Sequence, residues 1–472
     1  KDAVIGVYVK MSKPELYGKT LTWHVNEFVS QNYARVSGAS DLNVLDLLYD
    51  NSPFVSYRNS IWKNGYEVIA NINNILNYEE KNRAILTPVI DSLVRGELLG
   101  IRALMHFDLL RMFGKGNLGG RPELLNTFSI PYSLQFNKYA PAQVTYEQFL
   151  AYLRQDIEEA IEYLRVDPII KRKDVAYYLP YTDQSFLATN SSQNSIIDRK
   201  FRMNYYAAQA LYARILMWEG SEEAQGKALI IAEDLIKNAN YYWTNEVLVI
   251  VKNNEWWKSD LLFRNEHLFT MAVEKLADYQ THAQGTRNWF DASSPGNTYQ
   301  VVYLTQAKAE EIYETPGIGD TDWRYIYCLL PQGSSMNNFG LVKLRQHTEQ
   351  TADYSRSIPM IRITEMFYIA AECRMEAGIN YDRTKALEYL NTVRKRRGIA
   401  EREQLTESLT DEQIKQEIYK EYRKEFVGEG QVFFYYKRKG LETIPGYNGT
   451  MTDAQYQYPM PDDEIALGGR IK

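Results

Sequence analysis

A helix-pair pattern occurs twice along the chain, at an offset of 158 residues. Residues 211–229 and 369–387 each begin with a helical apolar face, pass through a glycine (Gly220 or Gly378) and end on Lys-Ala-Leu, where a second helix opens. Alanines along the first helix of each pattern allow close approach between helices. Antiparallel helix pairs of this kind build tetratricopeptide-like superhelices. We therefore expect a mainly α, tetratricopeptide-like helix-pair superhelix.

The same helical period recurs through most of the sequence. Within residues 97–113, apolar side chains at positions 98, 101, 105, 109 and 112 lie on one face of a helix. Gly114 directly follows this segment and predicts its end. Long β-branched alternation is scarce, and residues 247–251 are the best candidate for a strand. Comparable helical patterns occupy about 59–78, 145–165, 202–219, 225–238, 360–377, 382–397 and 410–428.

A segment of different texture, residues 240–358, lies between the two helix-pair patterns. It contains five of the eight tryptophans of the chain, among glycine, serine, asparagine and proline. Residues 291–297 and 333–340 are typical of loops, and long loops inside a compact protein are usually functional. We expect one domain, in which this segment forms a loop-rich ligand lobe on a helical scaffold. The scaffold is predicted at about residues 1–115, 145–238 and 360–430.

The composition excludes several classes of function. The formal net charge is −6, so the chain lacks the basic excess that would neutralise a phosphate backbone, and nucleic acid is a poor partner. Hydrophobic residues at 45% and charged residues at 24% are typical of a soluble globular protein, and no stretch is apolar enough for a membrane span. Cys328 and Cys373 cannot form a four-thiolate zinc site. Two buried thiols are favoured over a single disulfide.

The sequence contains none of the common motifs for catalysis or metal binding. No P-loop or Gly-x-Ser-x-Gly nucleophile motif occurs, and the five histidines lack metal-ligand spacing. His106, on the first helical segment described above, is interpreted as a packed and hydrogen-bonded side chain. Three charged clusters are interpreted as surface acids or as partners of a helix dipole, rather than as a glycosidase pair or a nucleic-acid site: Glu310-Glu311, Asp462-Asp463 and residues 394–397.

Aromatic residues make up 13% of the chain, including 37 tyrosines, and they are the remaining candidates for ligand binding. Flat rings on loops, near asparagine, aspartate and arginine, suit sugars, whose C–H faces stack on rings while their hydroxyls form hydrogen bonds. For any single ring, packing in the core of an irregular lobe is the simpler interpretation. The tryptophans between residues 240 and 325 are nevertheless where the sequence predicts a ligand.

Seven spaced segments, in order along nearly the whole chain, resemble the SusD/RagB family of surface-exposed nutrient-binding lipoproteins of Bacteroidetes outer membranes. The best of these segments is residues 96–103 followed by 110–114, which fits a Glu-Ala…Arg-Ala…Leu-x-x-x-Phe-Gly pattern. The family usually has arginine and aspartate where this chain has Val432 and Tyr435, so polar contacts at those positions are not carried over. The other matching segments are 2–8 with 17–18, 62–76, 363–372, 390–398, 421–430 and 458–465.

The resemblance implies a right-handed superhelix of four tetratricopeptide-like helix pairs that supports a loop-rich lobe. Relatives carry a lipidated N-terminal cysteine, sit on the outer face of the outer membrane and cap a TonB-dependent, SusC-like transporter. They bind oligosaccharides, in some cases peptides or glycoproteins, and they are not enzymes. The chain begins at Lys1 without an initiator methionine, as expected for a mature form whose signal and anchor lie upstream. We predict no cofactor and no metal, and nothing in the sequence indicates a structural calcium ion.

In starch-binding relatives an aromatic arc from the early loops and the middle lobe contacts the glycan, so the resemblance carries over two regions, about 41–62 and 285–325. No ligand motif fixes positions within them. We expect replacement of Trp289 or Trp323 by alanine to lower glycan retention and to leave thermal stability nearly unchanged. Five side chains are predicted to contact the ligand, chosen for ring or bidentate capability: Tyr57, Arg58, Trp289, Tyr299 and Trp323.

Three alternatives to oligosaccharide delivery stay open. An all-helical glycoside hydrolase would need two carboxylates that face a cleft, and it would release reducing sugar. A helical-repeat scaffold that binds proteins predicts no sugar binding and a long exposed apolar groove. Within the family, the cargo could instead be peptide or mucin-derived material.

Overall fold

The computed structural model describes residues 2–471 except 38, 40, 83–85, 171–198, 283–287, 294–300, 333–335, 351–354, 377 and 379. Within that part of the chain helices dominate and strands are short, which confirms the prediction of a mainly α protein. None of the helices described is both long and apolar enough to cross a bilayer.

The longer helices carry most of the scaffold. They are α1 (Asp2–Met11), α2 (Ser52–Lys81), α3 (Pro88–Phe113), α4 (Tyr146–Tyr163), α5 (Tyr205–Glu219), α6 (Glu222–Asn238), α7 (Gln306–Tyr313), α8 (Ile363–Arg374), α9 (Arg383–Arg396), α10 (Asp411–Phe426), α11 (Val432–Lys439) and α12 (Asp462–Gly468). One-turn helices lie at Val25–Phe28, Leu42–Leu45, Glu246–Val249, Leu276–Tyr279, Trp323–Ile326 and Asp453–Tyr456.

Side-chain caps explain why several helices begin where they do. At the start of α4, Thr145 Oγ1 accepts a hydrogen bond from the backbone N–H of Gln148 (3.2 Å), and Gln148 Oε1 accepts one from the N–H of Thr145 (3.1 Å). The same reciprocal capping box opens α10 at Thr410 and Gln413. Each box satisfies backbone donors that the first helical turn leaves without a partner. The start of these helices is therefore set by local sequence.

The two repeated patterns of the sequence form two adjacent helix pairs. α5 and α6 pack together, as do α8 and α9, and α6 also packs against α8. Gly220 ends α5 with φ +73°, a left-handed conformation that glycine adopts without a steric penalty. Between the pairs, Cys373 Sγ lies 3.4 Å from Met217 Sδ. Both cysteines are buried and free, as the sequence predicted.

The central helix of the scaffold is α3. Every residue from Gly96 to Phe113 is buried, with α2 packed against one part of the helix and α4 against another. The prediction that His106 is a packed, hydrogen-bonded core residue is confirmed. Its Nδ1 lies 3.0 Å from the Arg102 carbonyl, and its Nε2 accepts a hydrogen bond from the Ser133 N–H at 2.9 Å. The helix is therefore held by both apolar packing and buried hydrogen bonds.

The segment 240–358 contains more regular structure than a loop-rich lobe implies. β3 (His267–Ala272) pairs antiparallel with β7 (Ser357–Arg362), and β4 (Tyr303–Thr305), β6 (Asn338–Leu341) and β5 (Leu329–Gln332) form a three-stranded sheet in that order. Outside the lobe, β1 (Phe128–Pro131) pairs with β2 (Gln143–Thr145). The short strands give the lobe a hydrogen-bonded frame.

Two local predictions within the lobe were wrong. Residues 247–251 do not form a strand, because Asn245 accepts a hydrogen bond from the Val247 N–H (3.0 Å) and starts the one-turn helix Glu246–Val249. The predicted loop 333–340 includes the first residues of β6, which pairs with a strand on each side. The content of glycine and asparagine does not reveal these hydrogen bonds between strands. Most of the other predicted loop, residues 294–297, lies outside the described residues.

A buried network of ion pairs joins the lobe to the scaffold. Glu425 on α10 accepts hydrogen bonds from Arg324, Arg362 and Arg397, and all four side chains are almost fully buried. Arg397 also donates to Glu266, directly before β3, at 2.5 Å. Asp322 and Glu421 also pair with Arg324, and Glu429 pairs with Arg362. The charges of three arginines, from three separate parts of the chain, are thus balanced inside the protein.

The basic run 394–397 has a different role from the one predicted. Arg394 and Arg397 are fully buried, and Arg394 Nη1 lies 2.8 Å from Glu421 Oε1 on α10. Only Lys395 and Arg396 in this run are exposed. Specific ion pairs with α10, rather than a general interaction with the helix dipole, therefore explain its two buried cations.

Replacement of Glu425 by glutamine should lower the free energy of unfolding by about 3–5 kcal/mol, because three buried guanidinium groups each lose one of their counter-charges. Denaturant titration measures the change. Glu388→Gln, which removes the exposed partner of Lys385, is the matched control and should cost less than about 1 kcal/mol. Equal losses in the two variants would contradict the role of the network.

The pKa of Glu372 provides a pH-dependent test of the scaffold. Burial raises this pKa, but Arg438 and Lys439 outweigh burial and hold it at about 2. Because the carboxyl of an unfolded chain titrates near 4.3, the ion pair stabilises the fold above that pH, and its contribution is lost as pH falls toward 2. The difference in unfolding free energy between the native protein and Glu372→Gln should therefore shrink across this window. A constant difference would be inconsistent with the pairing.

Candidate ligand-binding site

The two regions predicted to form the site lie side by side in the fold. Tyr57, near the start of α2, and Trp289, in the lobe, both contact the ring of His24, with centroid distances of 5.1 and 4.7 Å. The backbone N–H of Ala34 donates to the carbonyl of Tyr303 at 3.0 Å, which joins the early loop to the lobe. We refer to the cluster of Lys19, His24, Asp41, Tyr57, His282 and Trp289 as the junction.

Trp289 is a core residue of the junction. Its side chain is only 4% exposed, His282 stacks on its ring at 4.0 Å, and the Lys19 ammonium lies 4.1 Å from the ring centroid. Its edge contacts Trp23 at 6.2 Å. Because neighbouring side chains cover the indole, this structure offers no open ring face at Trp289 for a sugar.

Tyr57 is the partly exposed ring of the junction. Its hydroxyl donates to Asp41 Oδ1 at 2.8 Å, and burial together with the Asp41 charge raises the pKa of Tyr57 above its ordinary value. The tyrosine therefore stays neutral and holds its ring in a fixed orientation. Burial lowers the pKa of Lys19 to about 8, and Asp41 partly opposes this shift. The junction therefore presents a ring, a hydroxyl group and an ammonium group close together.

His24 lies beneath these groups and is fully buried. Burial, then the charges of Lys19 and His282, lowers the pKa of His24 well below its ordinary value, so the imidazole is neutral. Neither ring nitrogen has a hydrogen-bond partner among the described residues, and Nε2 lies 3.9 Å from Asp41 Oδ1. A buried polar atom without a hydrogen-bond partner lowers the stability of the fold. Such atoms in a native structure therefore point to a role other than stability.

The other predicted site residues lie elsewhere. Arg58 points away from Tyr57, is 3% exposed, and donates to Asp462 Oδ2 at 3.0 Å. Trp323 starts a one-turn helix and packs half-buried beside Gly398, in a separate apolar cluster. Tyr299 lies outside the described residues. The structure thus brings Tyr57 and Trp289 together and separates Arg58 and Trp323 from them, and ligand contact by any of the five stays a prediction.

Lys19, His24 and Asp41 were not singled out from the sequence. Asp41 stands at the edge of a region that the family resemblance marked, and Trp23-His24 is an aromatic pair that a search for rings could have flagged. Their proximity to Trp289 depends on contacts across more than 240 residues of chain, which the sequence alone does not show.

The described residues contain no group of three or more histidine, cysteine, aspartate or glutamate side chains placed to hold a metal ion. The histidines of the junction pack against the indole of Trp289, and the Lys19 ammonium lies over the same indole. The chemistry that this site offers is therefore stacking and hydrogen bonding.

Two family models match separate parts of the chain. Residues 330–467 match the model described as the SusD family, and residues 4–176 match one described as "Starch-binding associating with outer membrane". The chain belongs to the SusD family. The family predicted from the seven sequence segments is thereby confirmed. Comparison with curated proteins finds no significant match.

Solved structures show that the SusD-family fold extends over the whole chain. A SusD superfamily protein from Bacteroides thetaiotaomicron VPI-5482 is 20% identical, with 100% of this chain and 98% of that one covered and a TM-score of 0.72. Surface glycan-binding protein A from Bacteroides uniformis is 18% identical over 100% and 98%, with a TM-score of 0.68. A SusD-like carbohydrate binding protein from Bacteroides vulgatus ATCC 8482 is 15% identical over 99% and 95%, with a TM-score of 0.70. The tetratricopeptide-like fold prediction is confirmed.

The burial of Trp289 reverses the stability expected for its alanine variant. Trp289→Ala should lower the free energy of unfolding by about 3–5 kcal/mol, because it opens a cavity between the lobe and the early loop. Tyr78→Ala, which removes a ring that is 66% exposed, is the control and should change stability by about 0.5 kcal/mol or less. Thermal and denaturant unfolding of both variants measure the difference. A Trp289→Ala protein as stable as the control would mean that the indole is not packed as described.

Proposed function

We propose that this SusD-family protein binds oligosaccharide on the outer face of the outer membrane and passes it to a SusC-like, TonB-dependent transporter. Membrane association would come from a lipid anchor upstream of Lys1. The family and the starch-binding description of one matching model support the class of ligand. The observation that carries the proposal is the junction, where Tyr57 of α2 lies beside Asp41 and Lys19 of the early segment and next to Trp289 of the lobe.

The junction has the groups that sugar recognition requires. The C–H face of a pyranose can pack on the partly exposed ring of Tyr57. The hydroxyl groups of the sugar can accept hydrogen bonds from the Lys19 ammonium group. Asp41 fixes the ring through the tyrosine hydroxyl, so less side-chain freedom is lost when a sugar binds. Such a site binds through a few modest contacts. Modest affinity suits a protein that must release its cargo to a pore.

The environments of the acidic pairs favour binding over hydrolysis. The general acid of a glycosidase needs a raised pKa. Burial alone would raise the pKa of Glu311, but Arg423 and Lys308 outweigh burial and lower this pKa below its ordinary value. Asp462 forms an ion pair with Arg58. These carboxylates therefore act as ion-pair partners. Incubation of the protein with each polysaccharide that it retains should release no reducing sugar.

Tyr57→Ala should weaken glycan retention about fivefold, since loss of one stacking ring removes on the order of 1 kcal/mol of binding free energy. Tyr57→Phe keeps the ring and loses only the hydrogen bond to Asp41, so its retention should lie between those of the native protein and Tyr57→Ala. Affinity electrophoresis in gels containing soluble polysaccharides measures retention, and thermal unfolding checks that each variant is folded. If a folded native protein is retained by none of a broad polysaccharide panel, the proposed function is wrong. If Tyr57→Ala is retained in full, the junction is not the site.

A further inference from the structure

Helix α2 carries a second surface on the side away from the junction. Asn59, Lys63, Tyr66 and Ala70 are spaced by three or four residues and line a groove together. Tyr57 stands two residues before Asn59, about 200° around the helix, and faces the junction instead. The groove is therefore distinct from the proposed site, although the same rigid helix supports both.

The groove has a volume of about 430 Å³ and lies between α2, the loop that connects β1 to β2, and the C-terminal segment. Its floor is fixed by side-chain contacts. Trp62 packs against Tyr66 and Phe113, each at a centroid distance of 4.9 Å, and the Tyr66 hydroxyl donates to the Pro131 carbonyl at 2.7 Å. A groove of this size, with a preorganised floor, falls in the range of small-molecule binding sites.

Two aromatic rings stand at the mouth of the groove. Phe136 is 53% exposed and Tyr139 is 72% exposed, and both line the groove from the β1–β2 loop. Single exposed apolar side chains are common on protein surfaces. Two large exposed rings three residues apart, at the edge of a groove, instead form a surface on which sugar rings can stack.

Hydrogen-bonding groups surround these rings. The side chains of Asn59, Lys63 and Gln135 are exposed, line the groove and have no side-chain hydrogen bond among the described residues. The opposite wall is held in place by Arg470, which donates to Glu464 at 2.9 Å and to the Pro141 carbonyl at 2.6 Å. The groove thus combines exposed donors and acceptors, on α2 and on the β1–β2 loop, with a fixed opposite wall.

The charges of the groove favour a neutral ligand. Arg470 is paired with Glu464, and the exposed Lys63 and Asp463 add one charge of each sign, so the charges that line the groove sum to zero. One further cation, Lys138, lies at the mouth, with its ammonium 5.3 Å from the Tyr139 ring centroid. A site for an acidic polysaccharide would instead carry an excess of cations, since two carboxylates in the groove oppose an anionic ligand. Rings, amides and balanced charges together suit hydroxyl-rich neutral sugars.

We infer that this groove is a second carbohydrate-binding site, for neutral oligosaccharides, and this inference rests on the proposed function. Two sites on opposite sides of α2 let one long polysaccharide bind twice, so the second contact forms at a high effective concentration. A long neutral polymer is therefore retained more strongly than a short oligosaccharide of the same sugars. While one site holds the polymer, the other site can release one segment of the same polymer and bind another.

The test compares Phe136→Ala/Tyr139→Ala with Tyr78→Ala, which removes an exposed ring near the other end of α2. The full chain is run in gels containing amylopectin, galactomannan or polygalacturonate, and short oligosaccharides of the retained polymer are then titrated by calorimetry. The double variant should lose about tenfold or more in retention of a neutral polymer, from the loss of two stacking rings, while Tyr78→Ala behaves as the native protein. Oligosaccharide stoichiometry should fall from two to one, with no change in melting temperature.

The outcomes separate this inference from the proposed function. Retention and stoichiometry that are unchanged in the double variant, with a native protein that binds glycan, overturn the second site alone. Absence of retention of the native protein by every polymer overturns both. Preferential retention by polygalacturonate overturns the assignment of a neutral ligand. Tyr57→Ala should reduce the stoichiometry independently, and the triple variant should show no binding.

Discussion

The buried carboxylate of Glu425 joins the lobe to the scaffold. It stands on α10 and balances arginines that come from a one-turn helix in the lobe, from the end of β7 and from the residue after α9. Buried ion pairs contribute little stability compared with apolar packing, but loss of one partner is costly, since it strands a charge in a low-dielectric interior. The network thus fixes how the lobe sits on the scaffold. β7 pairs with β3, which precedes Trp289 in the lobe. The ion-pair network therefore also fixes the lobe half of the junction.

The other half of the junction depends on α2, whose two sides meet different parts of the protein. Tyr57 faces the early loop and the lobe, whereas Tyr66 faces the β1–β2 loop and the C-terminal segment. A helix of 30 residues packed on the buried α3 is a rigid support. Ligand-contacting groups on such an element keep their geometry without a ligand, so less binding energy is spent on ordering them.

Predictions from the sequence succeeded where the signal was local. The period of residues 97–113 and the repeat marked by Gly220 predicted α3 and the helix pairs, because apolar spacing and stop signals lie within one or two turns of the chain. Residues 247–251 misled, since a side-chain cap overrode β-branched composition. The burial of Trp289 and the exposure of Phe136 depend on contacts between distant segments, which composition does not show.

The tryptophans of the lobe mark where rings pack, not where they are open. Strands there are short, so ring contacts provide much of the packing: Trp289 against Trp23 and His282, and Trp257 stacked on His347 at 4.0 Å. Phe136 and Tyr139, at the mouth of the groove, are each more exposed than any tryptophan of the lobe. Under the proposed function this division is useful, because packed indoles stabilise the lobe while several exposed rings, each worth little alone, together retain a long chain.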